Sequence, residues 1–130
     1  MSGSGEQHHE VLAGLLEQLK EVFEGSEQGI YLYLDDHHKA CNKRFASLLD
    51  YGSPEEWAAD KRPFADVFVD ERSQDALVSA YQDAMEKLVG SSISVTWRGK
   101  EGREVATRMI LVPVSYRGHV FALHFVSETE

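Results

Sequence analysis

The residues able to do acid–base or metal chemistry form small separate groups in this sequence. His37 and His38 directly follow Asp35 and Asp36, and imidazole and carboxylate groups are donors that zinc accepts. Adjacent residues in a turn rarely point at one ion, so the favoured interpretation is a polar hairpin turn. The pair His8-His9 is interpreted as the solvent-exposed start of a helix.

The remaining candidates are equally isolated. His119 and His124 are five residues apart on the predicted last strand, so they face opposite sides of a sheet and cannot share a ligand. Cys41 is the only cysteine, which excludes an intramolecular disulfide. No base is recognisable beside Cys41, so it is expected to be a buried residue at a strand end. We therefore expect no metal site and no catalytic residue.

Composition narrows the class of protein further. The chain has 130 residues, which suits one domain at roughly 100–200 residues per domain. The formal net charge is −9, and an acidic surface repels phosphate groups and anionic lipid, so neither nucleic acid nor a membrane is an expected partner. The polar start lacks the apolar segment of a secretory signal, so the cytoplasm is the expected compartment.

The elements that position these groups begin with an amphipathic helix. Residues 1–26 are expected to form a flexible lead-in and this helix, which ends at Gly25. Its apolar stripe steps by four, three and four along Leu12, Leu16, Leu19 and Phe23. This stripe is the predicted dimer interface. It is expected either to cover a sheet of the same chain or to pair with a second chain.

Residues 27–130 are expected to form the main domain. Two short strands precede three helices, and the last forty residues alternate as three strands, which indicates an α+β fold with a mostly antiparallel sheet. Asn42 is predicted to cap the helix that begins at Lys43, and its replacement by Ala is expected to cost about 1 kcal/mol. Ser53, Pro54 and Glu56 form a second helix start with a capping box.

Several of these segments together resemble the PAS domain, a sensory module. CNKRFASLLDYGSPEEW resembles the signature of its first helix, although Asp50 stands where Gly is usual. FVDERSQ resembles the entry to its long helix, WRGKEGREV a hairpin, and LVPVSYRGHVFALHFVSETE its last hairpin and exit. The resemblance covers residues 27–130 and implies a five-stranded antiparallel sheet with helices over one face, here with an added N-terminal helix.

The resemblance also bears on cofactors. Flavin-binding PAS proteins carry a reactive cysteine in a motif that this sequence lacks, and haem-binding ones commonly use a histidine on the long helix. Residues 70–89 contain no histidine. No flavin or haem is therefore expected, while an unidentified small molecule is compatible with the fold.

A ligand pocket is expected on the sheet face beneath the helices, if the core leaves one. Residues two apart on a strand share a face, and the chosen register places aromatic side chains and Thr107 inward. We expect the pocket to be lined by Trp97, Thr107, Met109, Phe121 and Phe125 from the sheet and by Phe45, Trp57 and Tyr81 from the helices. A filled core and a small apolar pocket both remain open.

The expected function is a non-catalytic PAS-type sensor or interaction module in signal transduction. It would bind a small apolar ligand or a protein partner and signal through a homodimer to an output protein such as a kinase or regulator. The alternative is a small enzyme or binding protein on a cone-shaped α+β fold of the nuclear-transport-factor type. The two strands before Asn42 argue against that fold, as does the lack of an acid–base pair on the inner wall. A purely structural dimerisation domain is the third option.

Overall fold

The computed structural model describes the backbone of residues 4–129 and the side chains of residues 8–129. Its elements are α1 (Ser4–Gly25), β1 (Gly29–Asp35), β2 (His38–Cys41), α2 (Lys43–Leu48), α3 (Pro54–Ala58), α4 (Phe64–Phe68), α5 (Glu71–Lys87), β3 (Ser91–Arg98), β4 (Glu104–Tyr116) and β5 (His119–Glu128). The flexible lead-in is predicted over residues 1–5, whereas α1 already begins at Ser4. The rest of that lead-in, residues 1–3, lies outside the described residues.

The five strands form one antiparallel sheet in the order β2-β1-β5-β4-β3. Helices α2 to α5 contribute to a core on one face, which we call the inner face, and α1 packs on the opposite, outer face. The predicted α+β architecture is confirmed. The cone-shaped alternative is wrong, because β1 and β2 precede the inner helices, β1 pairs with β5 at the centre of the sheet, and β2 forms an edge beside β1.

Side-chain caps explain where the first inner helices begin. The Oδ1 atom of Asn42 accepts a hydrogen bond from the backbone N–H of Phe45 at 3.0 Å, which confirms the predicted cap of α2. Ser53 accepts from the N–H of Glu56 at 3.0 Å, with Pro54 at the first helical position of α3. These caps fix the two helices close to the end of β2.

Two local features were not foreseen. The apolar stretch from Phe64 to Phe68 forms a short helix of its own, α4, which closes the inner face before α5. Asp50 adopts a left-handed backbone with φ of 65°, which accounts for the usual glycine there. The Arg103 guanidinium donates to the Asp50 carboxylate at 3.0 Å, and this contact holds the strained turn in place.

Two apolar cores therefore lie on the two faces of the sheet. The inner core contains most of the large aromatic residues, and the outer core lies between α1 and strands β1 and β5. Among the residues that the structure describes, no helix has the length and apolar character needed to cross a membrane.

Candidate functional site

Five of the predicted pocket residues do meet on the inner face, but they pack tightly against one another. Phe45, Trp57, Trp97 and Met109 are fully buried, and Thr107 is buried beside them. The indole N–H of Trp97 donates to Thr107 Oγ1 at 2.8 Å, and the Thr107 hydroxyl donates to the Val95 carbonyl at 2.7 Å. Their interlocked packing makes this part of the inner face a filled core.

The register assigned to β5 is wrong. Phe121 and Phe125 lie on the outer face beneath α1, whereas Ala122, His124 and Val126 point inward. The reason is that every residue of β5 from Val120 to Val126 is apolar or a histidine, so alternation alone does not select a face. The phenylalanines fill the space under α1. Arg108 stays exposed on β4, so inverting β5 did not bury it.

A cavity of about 220 Å³ opens beside the filled core, between β1, β5 and helices α4 and α5. Its wall consists mainly of aromatic and aliphatic side chains with a few polar groups: Tyr31, Tyr33, Asp36, Phe64, Ala65, Leu77, Val78, Tyr81 and His124. Of the eight predicted pocket residues, only Tyr81 belongs to this wall. Whether a ligand binds here stays a prediction.

Stacked rings form the floor of this cavity. The Tyr31 ring lies parallel to the His124 ring, with 3.8 Å between centroids and 7° between planes. Phe64 stacks on Tyr31 at 5.4 Å, and Phe45 contacts it at 4.7 Å from the core. The floor is therefore closely packed on the core side, where aromatic pairs add to simple burial.

Polar groups lie at the rim. The Tyr33 hydroxyl donates to Asp36 Oδ1 at 2.7 Å, and the same oxygen accepts from the backbone N–H of Phe64 at 3.1 Å. The Tyr81 hydroxyl donates to the Leu34 carbonyl at 3.3 Å. Burial, and then the hydrogen bond to Asp36, raise the pKa of Tyr33 well above its ordinary range. Burial, followed by nearby carboxylates, likewise raises the pKa of Tyr81, so both tyrosines remain neutral donors at physiological pH.

His124 is a neutral imidazole in this setting. Its burial lowers its pKa to about 3, an effect larger than the opposing hydrogen bonds to the Tyr31 and Ala122 backbones. The cavity thus offers an apolar, aromatic interior with one carboxylate and tyrosine hydroxyls at its mouth. This chemistry suits recognition of a small, largely apolar molecule carrying one polar group.

Cys41 is not part of this cavity. It is buried at the end of β2, as predicted, and burial, with Glu55 as the next cause, raises the pKa of its thiol. A thiol held neutral in this way is a poor nucleophile.

A wider groove of about 780 Å³ runs between the end of α1 and the starts of α2 and α3, but charged side chains such as Lys20, Lys43, Arg44 and Glu55 line much of it.

The predicted dimer stripe on α1 faces the sheet of its own chain. Leu12 is buried in the outer core, and Leu16, Leu19 and Phe23 pack at its edge. Within this single chain the stripe packs in cis, against β1 and β5. Part of the outer face stays uncovered, since Ile110 and Val112 are 46% and 37% exposed. A homodimer stays a prediction.

Sequence reasoning missed most of the cavity wall. Tyr31 and Tyr33 are two residues apart on β1 and therefore share a face, and Asp36 comes three residues after Tyr33. The alternation of the two tyrosines was the signal from which this part of the wall could have been found. His124 was missed because the predicted register of β5 placed it on the outer face.

Comparison with known proteins supports the architecture. No protein-family model matches the sequence, and no curated protein sequence matches it. Solved structures do match. A PAS domain from Colwellia psychrerythraea is 19% identical over 88% of this chain and 97% of its own, with a TM-score of 0.68.

Two further structures come from sensor kinases. A PAS domain from a two-component sensor histidine kinase is 15% identical over 90% of this chain and 99% of its own, with a TM-score of 0.65. A domain of the sensory box sensor histidine kinase/response regulator from Geobacter sulfurreducens is 17% identical over 88% and 95%, with a TM-score of 0.62. The chain therefore has the PAS fold that its sequence motifs predict.

Proposed function

We propose that this protein is a non-catalytic PAS-type sensor that binds a small, largely apolar molecule in the cavity between β1, β5, α4 and α5. The single observation that carries the proposal is the cavity itself, about 220 Å³ with an aromatic floor and a polar rim. A cavity of roughly 150 Å³ in another protein holds benzene. The space here suits a compound with one ring or a short branched chain.

The strands that form the cavity also support α1. On β1, Tyr31 and Tyr33 face the cavity, while Ile30 and Leu32 belong to the outer core with α1. On β5, His124 faces the cavity and its neighbour Leu123 contributes to the outer core. A ligand that displaces the cavity side of these strands therefore shifts the surface on which α1 rests. This gives the sensor a physical route from ligand to helix.

The output is proposed to pass through a homodimer to a partner protein such as a kinase or regulator. Exposed Ile110 and Val112 on the outer face, with Val22 of α1 also exposed, provide apolar surface for a second copy. The similar structures include domains of sensor kinases, which supports a role in signalling. The net charge of the chain is −9, which makes nucleic acid and membrane surfaces unfavourable partners. The proposed location is the cytoplasm.

The test is a thermal-shift screen of single-ring compounds against matched variants. Ala65→Leu fills the cavity from α4, whereas the control Ala76→Leu changes an exposed alanine of α5 outside the wall. A ligand at 100 times its Kd stabilises the protein by about 2.7 kcal/mol. We expect a compound to raise the melting temperature of the wild type and of Ala76→Leu, and to leave Ala65→Leu unchanged.

Two results would count against the proposal. One is a screen in which no compound stabilises the wild type. The other is a compound that stabilises Ala65→Leu as much as Ala76→Leu, since it would then bind elsewhere. Light scattering of the same samples reports the subunit number, and a monomer at micromolar concentration would contradict the homodimer alone.

A further inference from the structure

Three histidines that are far apart in sequence meet at one end of the sheet. His8 comes from the start of α1, His38 from the start of β2 and His119 from the start of β5. The rings of His8 and His38 have centroids 5.3 Å apart, and those of His8 and His119 lie 5.1 Å apart. Each pair is nearly perpendicular. The carboxylate of Asp35, at the end of β1, completes the group.

Asp35 already connects two of the histidines. Its Oδ1 lies 2.8 Å from His38 Nδ1, and its Oδ2 lies 3.7 Å from His8 Nδ1. The backbone N–H of His37 donates to Oδ1 at 2.9 Å, which orients the carboxylate. One donor atom from each of His8, Asp35 and His38 lies within 4.8 Å of the others.

His119 keeps one ring nitrogen available as a ligand. Its Nδ1 lies 3.1 Å from the Arg117 carbonyl oxygen, so a proton on Nδ1 donates there and leaves the Nε2 lone pair free. Metal-binding histidines in proteins use the same arrangement, in which a backbone carbonyl fixes the tautomer. His119 lies outside the tight group of three and is placed as a fourth donor next to His8.

We propose that His8, Asp35 and His38 form a binding site for a divalent transition metal of the zinc type, with His119 as the fourth ligand. Zinc–nitrogen distances of about 2.0–2.1 Å in a tetrahedral site put ligand atoms about 3.3 Å apart. Closing the group of three around an ion therefore needs shifts of about 1.5 Å at most. None of the three side chains is fully enclosed, since His8, Asp35 and His38 are 30%, 42% and 18% exposed.

The donor set also selects the kind of metal. Imidazole nitrogens suit zinc, copper and nickel, whereas calcium and magnesium require oxygen ligands. The acidic chain, with a net charge of −9, attracts cations in general. Selectivity must therefore come from the three imidazoles.

The position of the site gives it a consequence for α1. His8 is on the helix, while Asp35, His38 and His119 belong to the sheet and its turn. A bound ion would hold the N-terminal end of α1 against the sheet. Metal binding would thereby restrain the helix that the proposed sensor uses.

Titration of the full chain with Zn²⁺ by calorimetry tests the site, with Co²⁺ as a spectroscopic probe. We expect one Zn²⁺ per chain with a Kd of about 10 µM or tighter, visible bands of tetrahedral Co²⁺, and no binding of Ca²⁺. His8→Gln and His38→Gln should each weaken Zn²⁺ binding by ~10-fold or more. Their neighbours provide matched controls, since His9 and His37 are exposed and belong to no part of the cluster.

The controls His9→Gln and His37→Gln should bind Zn²⁺ as the wild type does. Hydrogen exchange supplies a second readout, because Zn²⁺ should slow exchange in α1 of the wild type and not of His38→Gln. Absence of Zn²⁺ binding would overturn the proposal. Equal losses in the controls and in the cluster variants would also overturn it, since binding would then reflect exposed histidines in general.

Discussion

Asn42 offers a sharp test of how the elements are joined. Its Oδ1 accepts hydrogen bonds from the N–H groups of Ile30 and Phe45, both at 3.0 Å. Its Nδ2 donates to the carbonyls of Phe23 at 3.2 Å and Gln28 at 3.0 Å. One buried side chain therefore connects the end of α1, the start of β1 and the first turn of α2.

The cost of Asn42→Ala follows from these four contacts. A simple helix cap is worth about 1 kcal/mol, which is all that the sequence predicts. In the fold, two buried N–H groups lose their only side-chain acceptor, and unpaired buried groups cost about 1–3 kcal/mol each. Both donated hydrogen bonds are only partly buried, so the two carbonyls can be rehydrated at lower cost. We therefore expect Asn42→Ala to lower the free energy of unfolding by about 3–4 kcal/mol.

Urea unfolding followed by circular dichroism measures this difference against two further variants. Ser53→Ala removes a cap with one hydrogen bond, to Glu56 N–H, and should cost about 1 kcal/mol. Asn42→Ser retains a hydroxyl that can accept the N–H of Phe45 but loses the donated bonds to Phe23 and Gln28, so its loss should lie between the other two. A loss for Asn42→Ala no larger than that for Ser53→Ala would refute the account of the three-element junction.

Three other predictions concern the two cores. Because burial lowers the pKa of His124 to about 3, the contribution of the neutral imidazole to the free energy of unfolding is full above pH 6.5 and falls by about 1.4 kcal/mol per pH unit toward pH 3. His124→Phe should therefore flatten the dependence of the unfolding free energy on pH in this range. An unchanged slope would contradict the buried neutral imidazole. The Trp57 indole N–H is buried without a partner among the described residues, so Trp57→Phe should change the free energy of unfolding by about 1 kcal/mol or less. The control Trp97→Phe breaks a hydrogen bond, and a larger loss for Trp57→Phe than for this control would argue against the prediction. Phe121→Ala should lower the free energy of unfolding by about 3–5 kcal/mol. Because Phe121 and Leu15 both lie in the outer core, Phe121→Ala and Leu15→Ala should couple by at least about 0.5 kcal/mol in a double-mutant cycle. Strict additivity of the two losses would place Phe121 elsewhere.

The sequence determines a strand's faces only where its alternation includes polar residues. On β4, Arg108 alternates with Thr107 and Met109, and the predicted inward positions of these two are confirmed. On β5, Phe121 and Leu123 alternate with Ala122 and His124, so either face is acceptable by polarity. The choice depends on α1, whose apolar stripe needs large partners, and that contact is between segments about a hundred residues apart.

The candidate sites show the same limit. His8, His38 and His119 each look unremarkable beside their sequence neighbours, and only the antiparallel arrangement of β1, β2 and β5 under α1 brings them together. The aromatic core was predictable, because Phe45, Trp57 and Trp97 follow clear helix and strand patterns. The cavity was not, since its volume depends on how α4 and α5 sit over β1.

The most direct test of the sensor account is a two-dimensional NMR titration of the labelled protein with the best compound from the thermal-shift screen. The account predicts saturable shifts that are largest for backbone amides of the cavity wall, at residues 31–33 on β1 and 77–81 on α5, with smaller shifts in α1. Shifts that do not saturate, or that centre on the groove near Lys20, Asn42 and Pro54 instead, would contradict the cavity as the ligand site.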